Sequence, residues 1–578
     1  MRIKHFFGLA VLAAMTASCS SNNDLVVGGG NGSGENESGA SYASFSINLP
    51  TTRGTRADNP EFKPGETNEY DVFNATLLVF EKGTAASKEG DYTLAETVDL
   101  GSMEPWKNDP SETGVTTQTK ITAKLEKVDK NGDFFALVLL NNGSGANAKV
   151  TVPSVGTKFS EWNVATNANA TYFTDTKKGF YMANAPLYNS TNKSVTTLVP
   201  IKKENIFSTE AQASSGEAAA DIYVERGLAK VTLTTATKDE KDVGGSTYVG
   251  DKVKISNWAL DVTNKKTFPI HNVDGLTEDY AAIWNNDAAT TPGEASNQRF
   301  VDNNELTKAK RVYWGTDPNY KETTLSGETT ESQNARIENF NYVEKGDLTA
   351  DPTAPQYCLE NTFNLTNMVQ GQTTRVIFKA SYTPKDFTEA DGKTFYKVGT
   401  SVALWKEEDL KDHIKAAVTK VITDATTDNT TIKLDATDND ITTAGNHKIK
   451  AANITVTGHE VTAAEEQDIN DKVGLTKNAG ISTYANGESY YIARIKHFGD
   501  AQTPWTSGVY GENNLAYLGR YGMLRNNWYE LDVQNVSGPG YPDVPEVKPN
   551  TPDDEDDKYI KVSVKILDWA KRSQSVDL

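Results

Sequence analysis

The sequence predicts a mostly β protein with more than one core, on three observations. Apolar residues recur on alternate positions in short runs, the period of a strand with one buried face. The runs are separated by Gly, Pro, Asn and Asp, and a composition with 24 Tyr and 43 Gly favours strands and turns over helices. At 578 residues the chain exceeds what one hydrophobic core ordinarily serves, so two or more domains are expected.

Taken in order, the chain opens with a targeting segment. Arg2 and Lys4 supply positive charge, Phe6 to Met15 an apolar stretch, and Thr16-Ala17-Ser18 small residues before Cys19. The pattern resembles a bacterial lipoprotein signal in which Cys19 is lipidated, although Thr16 stands where Leu is usual. An ordinary secretory signal is the alternative, and either one exports the chain. Only Cys358 then remains, so no intrachain disulfide is expected, and Cys358 reads as a small buried hydrophobe. Beyond the signal there is no apolar run of membrane-spanning length.

Residues 20–40 are rich in Gly, Ser and Asn and read as a flexible tether. The glycines follow no strand and precede no Lys, so they are not a phosphate loop. The next stretch, Ser41 to Pro50, alternates with Phe45, Ile47 and Leu49 on one face. It runs into TTRGTRADNPEFKPGE, a loop open to proteases at Arg53 and Arg56.

Strand runs follow at Val72 to Phe80, Ile121 to Val128 and Asp133 to Leu140, the last two joined by Asp129-Lys130-Asn131-Gly132, a hairpin signal. Asp129, Asn131 and Asp133 do not form a calcium loop, because Leu140 stands where a bidentate Glu is needed. Ser208 to Ala220 reads as an inter-domain linker or long loop, and Asp221 to Leu233 as two strands or one bent at Gly227. Lys406 to Thr423 is the clearest helix, with Leu410, Ile414, Val418 and Ile422 four apart. Small surface hairpins are expected across 424–476.

Residues 538–557 contain five prolines and end in five consecutive acids, which favours an extended tether. The last stretch, Lys558 to Leu578, again alternates, with Ile560, Val562, Val564 and Ile566 on one face. Regular alternation ends there, so Leu567 and Trp569 require a bulge or a second short strand. A strand on such a tether has no evident partner in its own fold.

The chemistry these residues exclude is broad. A net charge of −20 opposes nucleic acid and anionic lipid surfaces. The six histidines lack the zinc-protease spacing, and the Gly-Ser-Gly at 143–145 lacks a nucleophile elbow. No catalytic residue, cofactor or metal is expected. Trp284, Trp314 and Trp505 are either sandwich core or, on a second reading, stacking platforms of a monomeric surface lipoprotein that binds glycans or host proteins.

The order of the lipoprotein signal, the Arg loop, FFALVLLNN, FYMANAP, VERGLAKVTL, NWALDVTNKKTFPI, YCLENTF, RNNWYELDVQNVSGPG and the tail with Trp569 resembles the fimbrillins of Bacteroidales type V pili. The likeness is to the major-subunit family of the short (minor) fimbriae, and it covers essentially the whole precursor. It implies two transthyretin-like β-sandwich domains in tandem with an extended C-terminal donor strand. The implied divisions are a signal over 1–19, a propeptide over 20–56, sandwiches over 57–215 and 216–537, and the tether and donor strand over 538–578.

It also implies a lipidated precursor at the outer membrane, cut by an arginine-specific or trypsin-like protease between Arg56 and Ala57, with Arg53 and Gly54 the competing site. The strand bearing Phe45, Ile47 and Leu49 would be removed, and Ile560, Val562, Val564, Ile566, Leu567 and Trp569 of the next copy would fill its place. The product would be a head-to-tail polymer, a cell-surface fimbrium with anchor and tip subunits, that meets host or bacterial receptors and supports adhesion and biofilm formation.

Overall fold

The computed structural model describes residues 40–49, 62–63, 67–102, 118–168, 170–174, 179–189, 191–286, 299–301, 310–319, 338–362, 369–388, 392–434, 448–475, 480–498, 503, 518–547 and 560–569. The first part of the chain forms β1 (Ser41–Asn48), β2 (Phe62–Lys63), α1 (Thr67–Tyr70), β3 (Ala75–Glu81), β4 (Thr93–Gly101) and β5 (Gln118–Leu125). It continues through β6 (Phe134–Leu140), β7 (Met182–Asn184), β8 (Ile206–Phe207) and β9 (Ala220–Arg226). Apart from β2 these strands make a sandwich. One layer holds β5, β1, β8 and the first half of β9; the other runs from the last half of β9 through β7, β6 and β3 to β4. Phe45, Ile47, Leu77, Val79, Val138 and Ile222 meet between the layers with no exposed surface.

The run at 133–140 is continuously apolar because both its faces are buried. Ala136, Val138 and Leu140 point into the sandwich, whereas Leu137 and Leu139 join Leu78 and Phe80 in a second cluster with Ile270, Leu359 and Trp528 of the following region. The hairpin expected across Asp129 to Gly132 does not form. Asp129 Oδ1 accepts the amide N–H groups of Asn131 and Gly132 at 2.7 and 3.0 Å, which makes a turn. The strands it joins sit in opposite layers, β5 on β1 and β6 on β3.

The second sandwich uses β10 (Ala229–Leu233), β11 (Lys241–Asp242), β12 (Lys252–Asp261), β13 (Gln356–Cys358) and β14 (Arg375–Thr383), then β15 (Glu488–Arg494), β16 (Asn527–Val536) and β17 (Ile560–Trp569). Its layers are β2–β17–β16–β10–β13 and β11–β12–β14–β15. Between them lie Val231, Tyr529, Leu531, Trp258, Phe378 and Tyr491. The two sandwiches share a topology. In each, an early strand, β1 or β10, pairs parallel with a later one, β9 or β16, and antiparallel with a strand between them in sequence, β5 or β13.

The chain crosses between sandwiches at Gly227-Leu228, so the expected division at 215/216 falls one strand early. The stretch 208–220 is no free linker: Glu210–Ser215 is a short helix whose Ala213 is buried against β1. Cys358 is buried in β13, and burial pushes its thiol up to about 12.

The expected helix is α2 (Glu407–Val421), with Leu410, Ile414 and Val418 buried. Among the described residues of 424–476 there is one strand pair, Thr430–Ile432 with Ile454–Val456, and also a second helix, α3 (Ala463–Val473), which the hairpin expectation did not include. Thr462 and Glu465 form its capping box and Gly474 ends it at φ 93°. Both helices and the strand pair share a core of their own with the sheet containing Phe395–Val398 and Ile481–Tyr484.

Candidate functional site

The strand at 41–48 is central in its layer. All eight residues pair antiparallel with β5, while on the opposite edge Tyr42 and Ala43 pair with β8, and Phe45 to Asn48 run parallel to Ala220–Tyr223 of β9. Side chains reinforce the ladder: Asn48 Nδ2 donates to the Ile222 carbonyl at 3.1 Å, and Gln118 Nε2 donates to Ser46 Oγ at 2.6 Å. Phe45, Ile47 and Leu49 are buried as their alternation indicates. At about 1.5 to 3 kcal/mol for each large apolar side chain, they supply roughly 5 to 9 kcal/mol of burial. Cys19, Arg53, Gly54, Arg56 and Ala57 lie outside the described residues.

The tail strand has a partner in its own chain, contrary to the sequence-based expectation. β17 pairs antiparallel with β16 over nine register pairs, and Asp568 and Trp569 pair parallel with β2. Val562 and Val564 are half-buried against the second core. The physical reason is the edge: without β17, β16 would present an unpaired ladder beside an apolar face. No break occurs at Leu567, which continues the ladder opposite Trp528. The irregularity lies in the partner, between Val533 and Asn535, opposite Val562 and Lys561.

The first half of the expected tether is also anchored. Tyr491 and Tyr484 hydroxyls donate to the Gly538 and Gly540 carbonyls at 2.9 and 3.0 Å, and Arg375 Nη2 donates to the Pro545 carbonyl at 2.9 Å. Gly540 sits at φ 64° with the space for a Cβ only 2.5 Å from the Tyr490 carbonyl oxygen, so only glycine allows so close an approach.

Two buried polar networks that sequence reasoning missed tie these parts together. In the first, Lys230 Nζ meets Glu69 Oε1 at 2.6 Å with both side chains at most 2% exposed. Tyr357 donates its hydroxyl to the same oxygen at 2.5 Å, and the Trp528 ring lies 3.8 Å from Lys230 Nζ. Arg226 Nε donates to the Glu69 carbonyl at 2.8 Å, and burial lowers its guanidinium to about 10. This cluster fixes α1, and hence the residues just after the Arg loop, to β10, β13 and β16.

In the second network, His271 Nδ1 lies 2.7 Å from Glu225 Oε1, Arg311 3.2 Å from Glu225 Oε2, and Arg525 Nε 3.0 Å from Glu360 Oε2. Burial alone would raise the Glu225 carboxyl, but the charges of His271, Arg311 and Arg525 overcome it and hold it low. Both networks join residues far apart in the chain, so no local pattern shows the pairing. Their only sequence signal is two charges, Glu225 and Arg226, adjacent in a strand where period two places one of them inward.

Trp284 and Trp314 are at most 2% exposed and pack with Tyr188 and Phe300, so they are core and not stacking platforms; Trp505 lies outside the described residues. Among the described residues no three side chains are grouped to hold a metal ion, and no helix is long and apolar enough to cross a membrane. What the arrangement offers is non-covalent: two amphipathic strands, one central in its layer and one held along a single long edge.

Residues 482–575 match the family model described as major fimbrial subunit protein type IV, fimbrillin, C-terminal. No curated protein matches. Among solved structures, two described as cell adhesion proteins of Parabacteroides distasonis align at 11% and 10% identity, over 92% of this chain and 98% and 99% of theirs, with TM-scores of 0.37 and 0.32. A fimbrial assembly protein of the same organism aligns at 12% identity over 64% of this chain and 97% of its own, with a TM-score of 0.24. Over 482–575, the part that contains β15, β16 and β17, the chain is similar to the C-terminal region of the fimbrillins.

Proposed function

We propose that this fimbrial subunit is a shaft subunit that polymerises by strand exchange after proteolysis. The observation that supports it most is the position of β1. A central strand joined to the rest of the fold through the segment bearing Arg53 and Arg56 can be cut free, and its loss leaves an apolar trough with two unpaired edges, on β5 and on β8 with β9. The incoming strand is β17 of another copy. In its own subunit it satisfies one long edge, on β16, whereas the trough offers two. The additional ladder, at about 1 kcal/mol for each net hydrogen bond, and the burial of its alternate apolar residues oppose association costs on the order of 4 to 15 kcal/mol. The contact is head-to-tail and does not close, so it propagates as a filament.

On this reading the chain is exported as a lipoprotein through Cys19, held at the outer membrane, cut between Arg56 and Ala57 by an arginine-specific or trypsin-like protease, and assembled with anchor and tip subunits into a fimbrium that serves adhesion and biofilm formation. Arg53-Gly54 is the competing cut. The Glu69–Lys230 cluster keeps α1 in place when β1 leaves, so processing opens the trough without unravelling the new N-terminus.

N-terminal sequencing of surface-assembled protein tests the scheme: Ala57 is expected, and an intact Cys19 terminus in the polymer overturns it. Two variants test the steps separately. Arg53→Ala with Arg56→Ala is expected to stay monomeric with protease, and deletion of Lys558 to Leu578 to be cut but not polymerise. Fibres of normal length from either variant refute the corresponding step.

A further inference from the structure

A cleft of about 1230 Å³ opens between the two sandwiches, on neither the β1 nor the β17 side of the assembly scheme. One wall comes from the hairpin of Leu187–Asn189 and Ser194–Thr196 together with the loop before β4; the opposite wall is the segment from Lys266 to Asp279. Lys88 Nζ, on the first wall, reaches Asp274 Oδ1 on the second at 3.1 Å. The hairpin is fixed from beneath by Glu89, whose carboxylate accepts the amide N–H groups of Thr197 and Leu198 at 2.8 and 2.7 Å.

The walls present fixed amide donors. Asn189 Oδ1 accepts the Thr191 N–H at 2.9 Å, Asn192 Oδ1 accepts the Ser194 N–H at 3.2 Å, and Asn272 Oδ1 accepts the Asp274 N–H at 3.1 Å. Tying each oxygen to the backbone two residues on sets the side-chain plane and leaves its NH₂ group as a donor at the wall it lines. The exposed carboxylates of Asp274 and Asp279 supply acceptors beside them. Between these polar groups the half-buried rings of Tyr92 and Phe135, with centroids 4.6 Å apart, give an apolar face.

We propose that this cleft binds a neutral oligosaccharide, whose hydroxyl groups pair with the amide and carboxylate groups of both walls and whose C–H faces pack on Tyr92 and Phe135. A sugar needs this mixture: planar groups that are pre-set to donate or accept, and an aromatic face between them. An anionic ligand is disfavoured. Among the described residues that line the cleft, the exposed carboxylates of Asp274, Glu278 and Asp279 outnumber the ammonium groups of Lys88 and Lys266, and the chain as a whole is at −20. The site is separate from the exchanged strands, so it does not depend on the assembly scheme.

The test uses the full chain on an array of neutral, sialylated and sulfated glycans, followed by saturation-transfer NMR with the best neutral oligosaccharide. Retention of neutral glycans is expected, with at least tenfold weaker binding on Tyr92→Ala and on the double variant Asn189→Ala/Asn192→Ala. Asn189 and Asn192 are exposed, so the double variant keeps the fold and decides the matter should Tyr92→Ala lower the melting temperature. Failure to retain any neutral glycan, retention of acidic glycans alone, or unchanged affinity in the double variant overturns the proposal. Unaltered fibre formation by the double variant is also expected, which distinguishes this site from the assembly strands.

Discussion

β1 and β17 are amphipathic strands of similar length and pattern, yet they hold very different positions. β1 is bonded on both edges along nearly its whole length, and its apolar face has no exposed surface from Ala43 to Ile47. β17 is bonded along one edge by β16, and its second edge meets only β2 at Asp568 and Trp569 among the described residues; Val562 and Val564 are half-buried. The difference teaches which strand can leave on its own. A two-edged central strand departs only if the chain that returns it is cut, whereas a one-edged strand at the end of the chain can peel away and seek a better site.

Substitutions that separate the two strands should show this asymmetry. Phe45→Ala is expected to destabilise the uncut precursor by about 3 to 5 kcal/mol, as a cavity in a closed core does, and to leave the cut subunit unaffected. Denaturant unfolding of both forms measures it, and equal effects in the two would mean that the β1 segment is not removed. Lys230→Ala removes the buried cation that faces the Glu69 carboxylate and leaves that charge with the Tyr357 hydroxyl. A loss of about 3 to 5 kcal/mol is expected here too, but in both forms, because α1 stays when β1 goes.

Comparing a Glu89 variant with the unaltered chain across pH gives a measure of the first sandwich. Burial raises the Glu89 carboxyl to about 7 against an ordinary 4.5, with Asp274 adding to the rise. The folded state therefore holds a proton that the unfolded state has released, and stability falls as pH rises from about 4.5 through 7. Glu89→Gln, which keeps an oxygen for the Thr197 and Leu198 amides, is expected to flatten that slope and to stabilise at pH 8 by about 1 to 3 kcal/mol. Melting curves between pH 4 and 8 read it; an unchanged slope would assign the pH dependence elsewhere. The smallest effect belongs to the tail. Val564→Ala removes half-buried methyl groups at one edge and should cost the monomer about 1 kcal/mol or less, while lowering the rate or length of polymer growth far more.

Much of this architecture was legible. The alternation in Phe45, Ile47 and Leu49 gave a strand with the correct face, four-residue spacing gave α2, and continuous apolar runs gave β3 and β6. What was misread has identifiable causes. Short alternations around Thr430–Ile432 and Ile454–Val456 point to hairpins across 424–476, whereas α3 shows itself only in the capping box of Thr462 and Glu465 and in Ile469 and Val473 at helical spacing. Asn131-Gly132 specified a turn without saying which strand each arm would pair with. Glu225, Arg226 and Lys230 are charged residues that become tolerable in the interior only because Arg311, His271, Glu69 and Trp528 arrive from elsewhere in the chain.

By itself the sequence determined local period, turn chemistry and the two amphipathic strands, since each depends on neighbours within about a turn or two of chain. Only the tertiary structure decided edges. Whether a strand has one partner or two, whether a charge is met by its opposite, and whether the proline-bearing segment after β16 runs free or lies against β14 and β15 are set by residues tens to hundreds of positions away. Pairing at that range is a property of how the layers close, and no local pattern records it.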